Sequence, residues 1–210
     1  TPSYTFRLSL KDSWAVPTML RHISKQGKRR IGVLLPNSGW GRSNQHSLSQ
    51  TLPSHPELTV VETVWYNFGE RVMLTKYLPL LSKGADIILF VGNDNEGTRL
   101  IRELGANPEV SRLPIVSHWG VTGGQMVAGS GPTLHEINFS VVQTFSFFRA
   151  EPARLAHFMR RAERTSEVRT IEQLISPVGT AHAYDMMHLL ARAIDVAGST
   201  DRSAIRDALE

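Results

Sequence analysis

Four short runs of apolar, largely β-branched residues punctuate the first 120 positions, and stretches of helical pattern separate them. Residues 30–35 (Arg-Ile-Gly-Val-Leu-Leu) form a compact apolar run that ends in Pro36-Asn37-Ser38-Gly39, which predicts a strand followed by a turn. Residues 58–66 are rich in Val and Thr with an aromatic end and predict a second strand. Residues 85–91 predict a third and 113–117 a short fourth. Helices are predicted over 42–52, 70–82 and 94–104. The last opens on Asn93-Asp94-Asn95-Glu96, the spacing of a capping box, while Pro79 predicts a kink or a restart in the second. Strand and helix alternating at this pace predict right-handed βαβ units. The expected fold class is α/β, a doubly wound parallel sheet covered on both faces.

Beyond Ser117 the pattern changes. Five glycines fall within residues 120–131, and 137–148 is a long β-branched and aromatic stretch, long enough to carry the chain elsewhere. From Glu151 onward the sequence is helical, with no later strand. Ala183, Met186, Met187, Leu190, Ala193, Ile194 and Ala197 recur at spacings of three and four and share a stripe, opposite Asp185, His188, Arg192 and Asp195. Gly198 is the expected stop of that helix, and Ser199 or Thr200 the expected cap of the next, ahead of Asp201. A domain needs two packed layers, so this stripe requires a sheet that the later sequence does not supply.

Composition narrows the function classes. With 210 residues, 41% hydrophobic and 20% charged, the chain is ordinary and globular. Its longest apolar run, Ile87 to Val91, suits a buried strand rather than a membrane span. The opening Thr1-Pro2-Ser3 is polar and carries no visible signal peptide, as expected of a mature, a cytosolic or a truncated chain. The absence of cysteine removes disulfides and thiol catalysis. A net charge of +4 raises a nucleic-acid reading, but the basic residues are scattered apart from Lys25, Lys28, Arg29 and Arg30 and a loose set over 154–169. Neither set interleaves with aromatics as single-strand binders require, so no nucleic-acid partner is expected.

The candidate chemistry lies where the strands end, because open parallel sheets bind ligands beyond the carboxyl ends of their strands. The first strand delivers Asn37-Ser38-Gly39-Trp40-Gly41, the third Gly92-Asn93-Asp94-Asn95, and the fourth Ser117-His118-Trp119-Gly120. Two tryptophans, a histidine and small polar groups would converge on one rim, as a small-molecule pocket needs. The alternative is that Trp40 and Trp119 merely close the top of the sheet. Gly39-Trp40-Gly41-Arg42-Ser43-Asn44 departs from a dinucleotide fingerprint at its third glycine, so no cofactor is expected. His182, Asp185 and His188 sweep around a helix at i, i+3 and i+6, which does not make a metal site. No Gly-x-Ser-x-Gly elbow, P-loop or paired carboxylates nominate an enzyme.

Residues 179–210, with Tyr184-Asp185, two apolar turns, Ala-Gly198-Ser-Thr-Asp201-Arg and a closing Ala-Leu-Glu210, resemble the solute-binding proteins of branched-chain amino acid ABC transporters, the type I periplasmic binding proteins. Thr5-Phe6-Arg7-Leu8, followed by a helix and the run at 30–35, resembles the entry to that family's second lobe. The resemblance implies two α/β lobes and a chain that crosses between them. Residues 1–9 would be one crossing, 10–140 the second lobe, 141–148 the return, and 149–210 the helical part of the first lobe. The strands of that first lobe would be absent, so the chain is expected to be a fragment. Trp40 matches the aromatic that walls the ligand, and the loop at 91–94, with Asn93 and Asp94, supplies further contacts. An acid commonly grips an amino acid's ammonium group after the fourth strand. Here that place falls on Trp119 beside His118, which puts an ordinary amino acid ligand in question unless Asp94 substitutes. With Ser38, these residues form the expected site. The implied function is extracytoplasmic capture of a small molecule (amino-acid-like, an amide or an aromatic acid) for the membrane permease of an ABC importer, in the periplasm or outside the cell. The alternatives are the sensing ectodomain of a membrane receptor and an enzyme on a doubly wound fold. A dimer of the fragment through residues 151–210 is also expected.

Overall fold

A computed structural model describes residues 3–124 and 126–210; Thr1 and Pro2, at the start of the expected first crossing, and Gln125 lie outside the described residues. The chain divides into two compact units, Leu10–Gln143 and Thr1–Ser9 with Thr144–Glu210.

The larger unit is a parallel sheet of five strands, β1 (Arg30–Pro36), β2 (Thr59–Tyr66), β3 (Ile87–Phe90), β4 (Ile115–His118) and β5 (Phe139–Val142), in the order β2-β1-β3-β4-β5. Pairing aligns Leu34 with Val64 on one side and with Phe90 on the other, and Ser117 with Val141. Its helices are α1 (Asp12–Lys25), α2 (Gly39–Thr51), α3 (Leu74–Ser82), α4 (Asp94–Ala106) and the short α5 (Met126–Ser130). The period-two alternation of the strands sorts the core. Ile31, Val33, Leu35, Ile87, Leu89 and Val116 pack with Val16, Met19, Leu20 and Ile23 of α1. Leu34, Ile88, Phe90 and Ile115 pack on the other face with Tyr77 and Leu80 of α3 and Leu100, Ile101 and Leu104 of α4. The helices fall on opposite faces because the connection through α2 runs one way along the sheet and those through α3 and α4 run the other, each right-handed.

Four local expectations are corrected. The helix expected from residue 70 begins only at Leu74, and Pro79 lies inside it. Glu96 does not close a capping box on Asn93, whose side chain makes no cap bond. It is buried instead and accepts the Gly69 N–H at 3.0 Å, tying α4 to the loop after β2. The stretch 137–148 is more than a passage: Phe139–Val142 adds a fifth strand, because β4 offers an unpaired edge to a β-branched run. The last helix is capped neither by Ser199 nor by Thr200 but by Asp201, whose carboxylate accepts the N–H groups of Ser203 and Ala204.

The smaller unit is helical: α6 (Pro152–Ser166), α7 (Pro177–Ala197) and α8 (Arg202–Leu209), with an extended N-terminal segment. Gly198 stops α7 in the left-handed conformation, φ 58°, which a glycine adopts without Cβ strain. Tyr4 reaches α8, its hydroxyl 3.1 Å from Ser203 Oγ and its ring under the Arg206 guanidinium. A chain of ring contacts runs Phe145, Phe147, Phe158, Tyr184, His188 along an apolar groove between α6 and α7. Little is buried: none of α6, and only Val178, Ala181 and Ala193 of α7. Met186, Met187 and Leu190 of the predicted stripe are exposed.

Candidate functional site

Because β1 lies between β2 and β3, the chain leaves the carboxyl ends of β1 and β3 in opposite directions, and their loops part to leave a crevice where such sheets bind ligands. The two loops are Asn37–Gly41 and Gly92–Asn95. The sequence of the first builds its half of the rim. Ser38 caps α2, its Oγ accepting the Gly41 N–H at 3.3 Å. A Cβ at Gly41 would stand 1.9 Å from the Pro36 carbonyl oxygen, so glycine there lets the helix spring straight off the strand. That start sets Trp40, half-buried, on the rim, with its carbonyl accepting from Asn44 Nδ2 at 3.0 Å.

Trp40 meets His118 edge to face, ring centroids 5.4 Å apart, and the Trp119 ring, tilted 42° to the same imidazole, lies 5.7 Å from it. His118 ends β4 and is 3% exposed. Gly120, two residues on, completes the junction: a Cβ there would lie 2.7 Å from the Gly92 carbonyl, 2.8 Å from the Trp40 ring and 3.1 Å from Asn93 Oδ1. Trp40, Asn93, His118 and Trp119 therefore come together around Gly120. The two remaining candidates do other work. Ser38 is occupied as the cap. Asp94 turns its carboxylate onto the Gly123–Gly124 backbone and, with Asn93, lines a polar groove of Phe68, Glu70, Thr98 and Arg99.

One member of the cluster was not anticipated. Asp12 Oδ1 accepts the Trp40 indole N–H at 3.2 Å and stands 3.7 Å from His118 Nε2. No motif marks it, but a signal exists: Asp12 extends the apolar stripe of α1, Ala15, Val16, Met19, Leu20 and Ile23, by one more turn. The face that buries α1 thus ends in a carboxylate at the rim. Burial pushes the His118 imidazole below its ordinary pKa, and the Asp12 charge opposes this. Around neutral pH the ring is uncharged. Its two nitrogens are buried and make no hydrogen bond within the described residues.

Chemically this is a surface for stacking and a few hydrogen bonds. Ser117, adjacent to His118, points to the other side of the strand and donates to the Phe90 carbonyl at 2.7 Å, so it makes no nucleophile for the Asp12–His118 pair. Thr144 lies 2.8 Å from His182 while His188 stacks on Tyr184, and among the described residues no three His, Asp or Glu side chains are grouped to hold a metal. Among the same residues no helix is long and apolar enough to cross a membrane.

Fold and rim together define one doubly wound α/β unit and a set of helices. The family model described as periplasmic binding protein matches residues 1–210, and the chain belongs to that family. No curated protein matches the sequence. Among solved structures, a type 1 periplasmic binding protein from Bordetella pertussis Tohama I superposes with a TM-score of 0.80 at 19% identity, over 96% of this chain and 54% of that one. The leucine binding protein LivK of Thermotoga maritima gives 0.80 at 15%, over 97% and 55%. A solute binding protein of an R. palustris ABC transporter, in complex with benzoate, gives 0.80 at 14%, over 97% and 54%. At these identities the likeness is one of fold, and the chain spans about half the length of the structures it matches.

Proposed function

We propose that the chain is the ligand-gripping half of an extracytoplasmic solute-binding receptor, working in the periplasm or outside the cell. It captures an amino-acid-like molecule, an amide or an aromatic acid and delivers it to the membrane permease of an ABC importer. The observation that carries this reading is the Trp40–His118–Trp119 cluster beside Asn93 at the parting of the β1 and β3 loops. Aromatic walls with few polar groups suit a small planar or apolar solute. The relatives named for leucine and crystallised with benzoate support that range of solutes. Binding rather than catalysis is the role, since the buried imidazole faces a carboxylate with no nucleophile beside it.

In this reading residues 10–140 form the second lobe, 1–9 and 141–148 are crossings, and 149–210 are helices of the first lobe. Strands from outside these 210 residues cover the groove between α6 and α7 in the intact protein. The length of the relatives supports this, as does the small number of buried residues in α6 and α7. A thermal-shift screen of amino acids, amides and aromatic acids, run on the 210-residue chain and on the intact gene product, tests the proposal. A true ligand raises the melting temperature of the intact protein and shifts the shorter chain far less, because closure needs both lobes. A screen of these classes without any shift would sink the reading. A hit with unchanged affinity in Trp40→Ala and Trp119→Ala would move the site elsewhere.

A further inference from the structure

We infer that Asp12 is a positioning residue of this rim: one carboxylate oxygen holds the Trp40 indole edge-on to His118 and supplies the counter-charge that faces the buried imidazole. The inference rests on the ligand-binding reading of the rim and adds to it the residue that sets what the rim presents. Both neighbours address the same atom, Oδ1, the indole N–H at 3.2 Å and His118 Nε2 at 3.7 Å. The first distance is a hydrogen bond and the second is just outside one, so a small approach of the imidazole makes the two groups share the oxygen. Asp12 is held for this task. It opens α1, where a carboxylate is favoured by the helix N-terminus, and Ala15, Val16 and Met19 directly below it are fully buried. Its side chain is itself only 15% exposed. α1 packs on both α2, which carries Trp40, and β4, which carries His118, so one helix touches the elements that place both rings.

The groups facing His118 are therefore Asp12 from α1, Trp40 from α2 and Trp119 from the turn after β4. The other two are indoles, so Asp12 is the charged member of this set. Without it, Trp40 loses the acceptor of its indole N–H and His118 the carboxylate that faces it. The indole would turn about its side-chain torsions, and the imidazole would become still harder to protonate.

The test needs no ligand, so it can fail while the binding reading stands, and the reverse. In the 15N-labelled 210-residue chain, the indole N–H resonance of Trp40 is identified by its loss in Trp40→Phe, and the His118 ring nitrogens by their loss in His118→Gln. Both are followed across pH. The expected result is that the Trp40 resonance moves with the His118 titration, since both groups face the same Asp12 oxygen. Asp12→Ala shifts the Trp40 resonance away from its hydrogen-bonded position and uncouples it from pH. Asp12→Asn keeps an oxygen for the indole and rescues the resonance position, but lowers the His118 midpoint because the charge is gone. If Asp12→Ala fails to fold, Asp12→Asn alone carries the test through the midpoint. An unmoved Trp40 resonance in a folded Asp12→Ala protein, or an unmoved His118 midpoint in Asp12→Asn, would overturn the inference.

Discussion

Trp40 and His118 stand edge to face at 5.4 Å, with their planes 86° apart, although 77 residues of sequence lie between them. One is placed by the first turn of a helix and the other by the last residue of a strand. Each is set by backbone that the core holds rigid, and contacts of this kind contribute about 0.5–1.5 kcal/mol beyond area burial. The contact joins the start of α2, just after β1, to the end of β4.

Trp119 lies beside the same imidazole, ring centroids 5.7 Å apart. Its replacement by alanine is expected to weaken binding of a ligand found in the screen by about 2 kcal/mol, roughly 30-fold in Kd. The fold should survive, since Trp119 follows the last residue of β4 and sits in a turn outside the sheet. Isothermal titration calorimetry with circular dichroism as the folding control checks both. Unchanged affinity would return Trp119 to a packing role.

Gly120 is the point of closest approach. An alanine there must displace the Gly92 carbonyl, the Trp40 ring or Asn93. Overpacking of this kind costs about 1–3 kcal/mol. The expected outcome is a lower urea midpoint with an altered Trp40 indole resonance, and a variant matching the parent in both would show that the rim is loosely packed.

His118 gives the unit a pH dependence of known sign. Its folded pKa is depressed by burial, with Asp12 opposing, from an ordinary value of 6.5. Above 6.5 the imidazole is neutral in both states and its contribution to stability is complete. As pH falls from 6.5 toward the lower folded value, the unfolded chain takes up the proton first, and stability is lost. Urea unfolding between about pH 5 and 8 should show His118→Gln with a flatter profile than the parent, the difference confined to the acid side. Parallel profiles would contradict the burial argument.

The exposed stripe of α7 makes a prediction about association. Met186, Met187 and Leu190 are 49%, 66% and 39% exposed. In a solution of the 210-residue chain alone, the stripe of another copy offers matching apolar surface to cover them. Burying such side chains contributes about 1.5–3 kcal/mol each when complete, so light scattering should report a mass that grows with concentration and reaches a dimer. Met187→Lys with Leu190→Lys should abolish the growth. A concentration-independent monomer would exclude self-association through 151–210.

Much of the larger unit was legible because its signals are local. Strand runs at 30–35, 58–66, 85–91 and 113–117 each fall on or across an observed strand, since a buried parallel strand must be a near-continuous apolar run. The βα alternation then leaves few topologies, and with them the rim that carries Trp40, Asn93, His118 and Trp119. The Gly198 stop was equally local. Other features depended on partners distant in sequence. Glu96 looked like a cap, but the Gly69 N–H, brought alongside by packing, claims its carboxylate. Phe139–Val142 is a strand because β4 has an edge for it, which no window of twelve residues contains. Ser38 and Asp94 sit on the loops that the strands deliver, yet backbone neighbours take up one side chain as a cap and seat the other against Gly123 and Gly124. Asp12 was invisible for the converse reason. Its own sequence surroundings say that a helix begins there and that Asp12 continues the buried stripe, but its place beside Trp40 and His118 exists only once α1 lies across α2 and β4. Periodicity and turn chemistry act over a few residues and can be read along the chain. Which carboxylate meets which ring is settled by how helices pack on a sheet, and that is a property of the assembled layers.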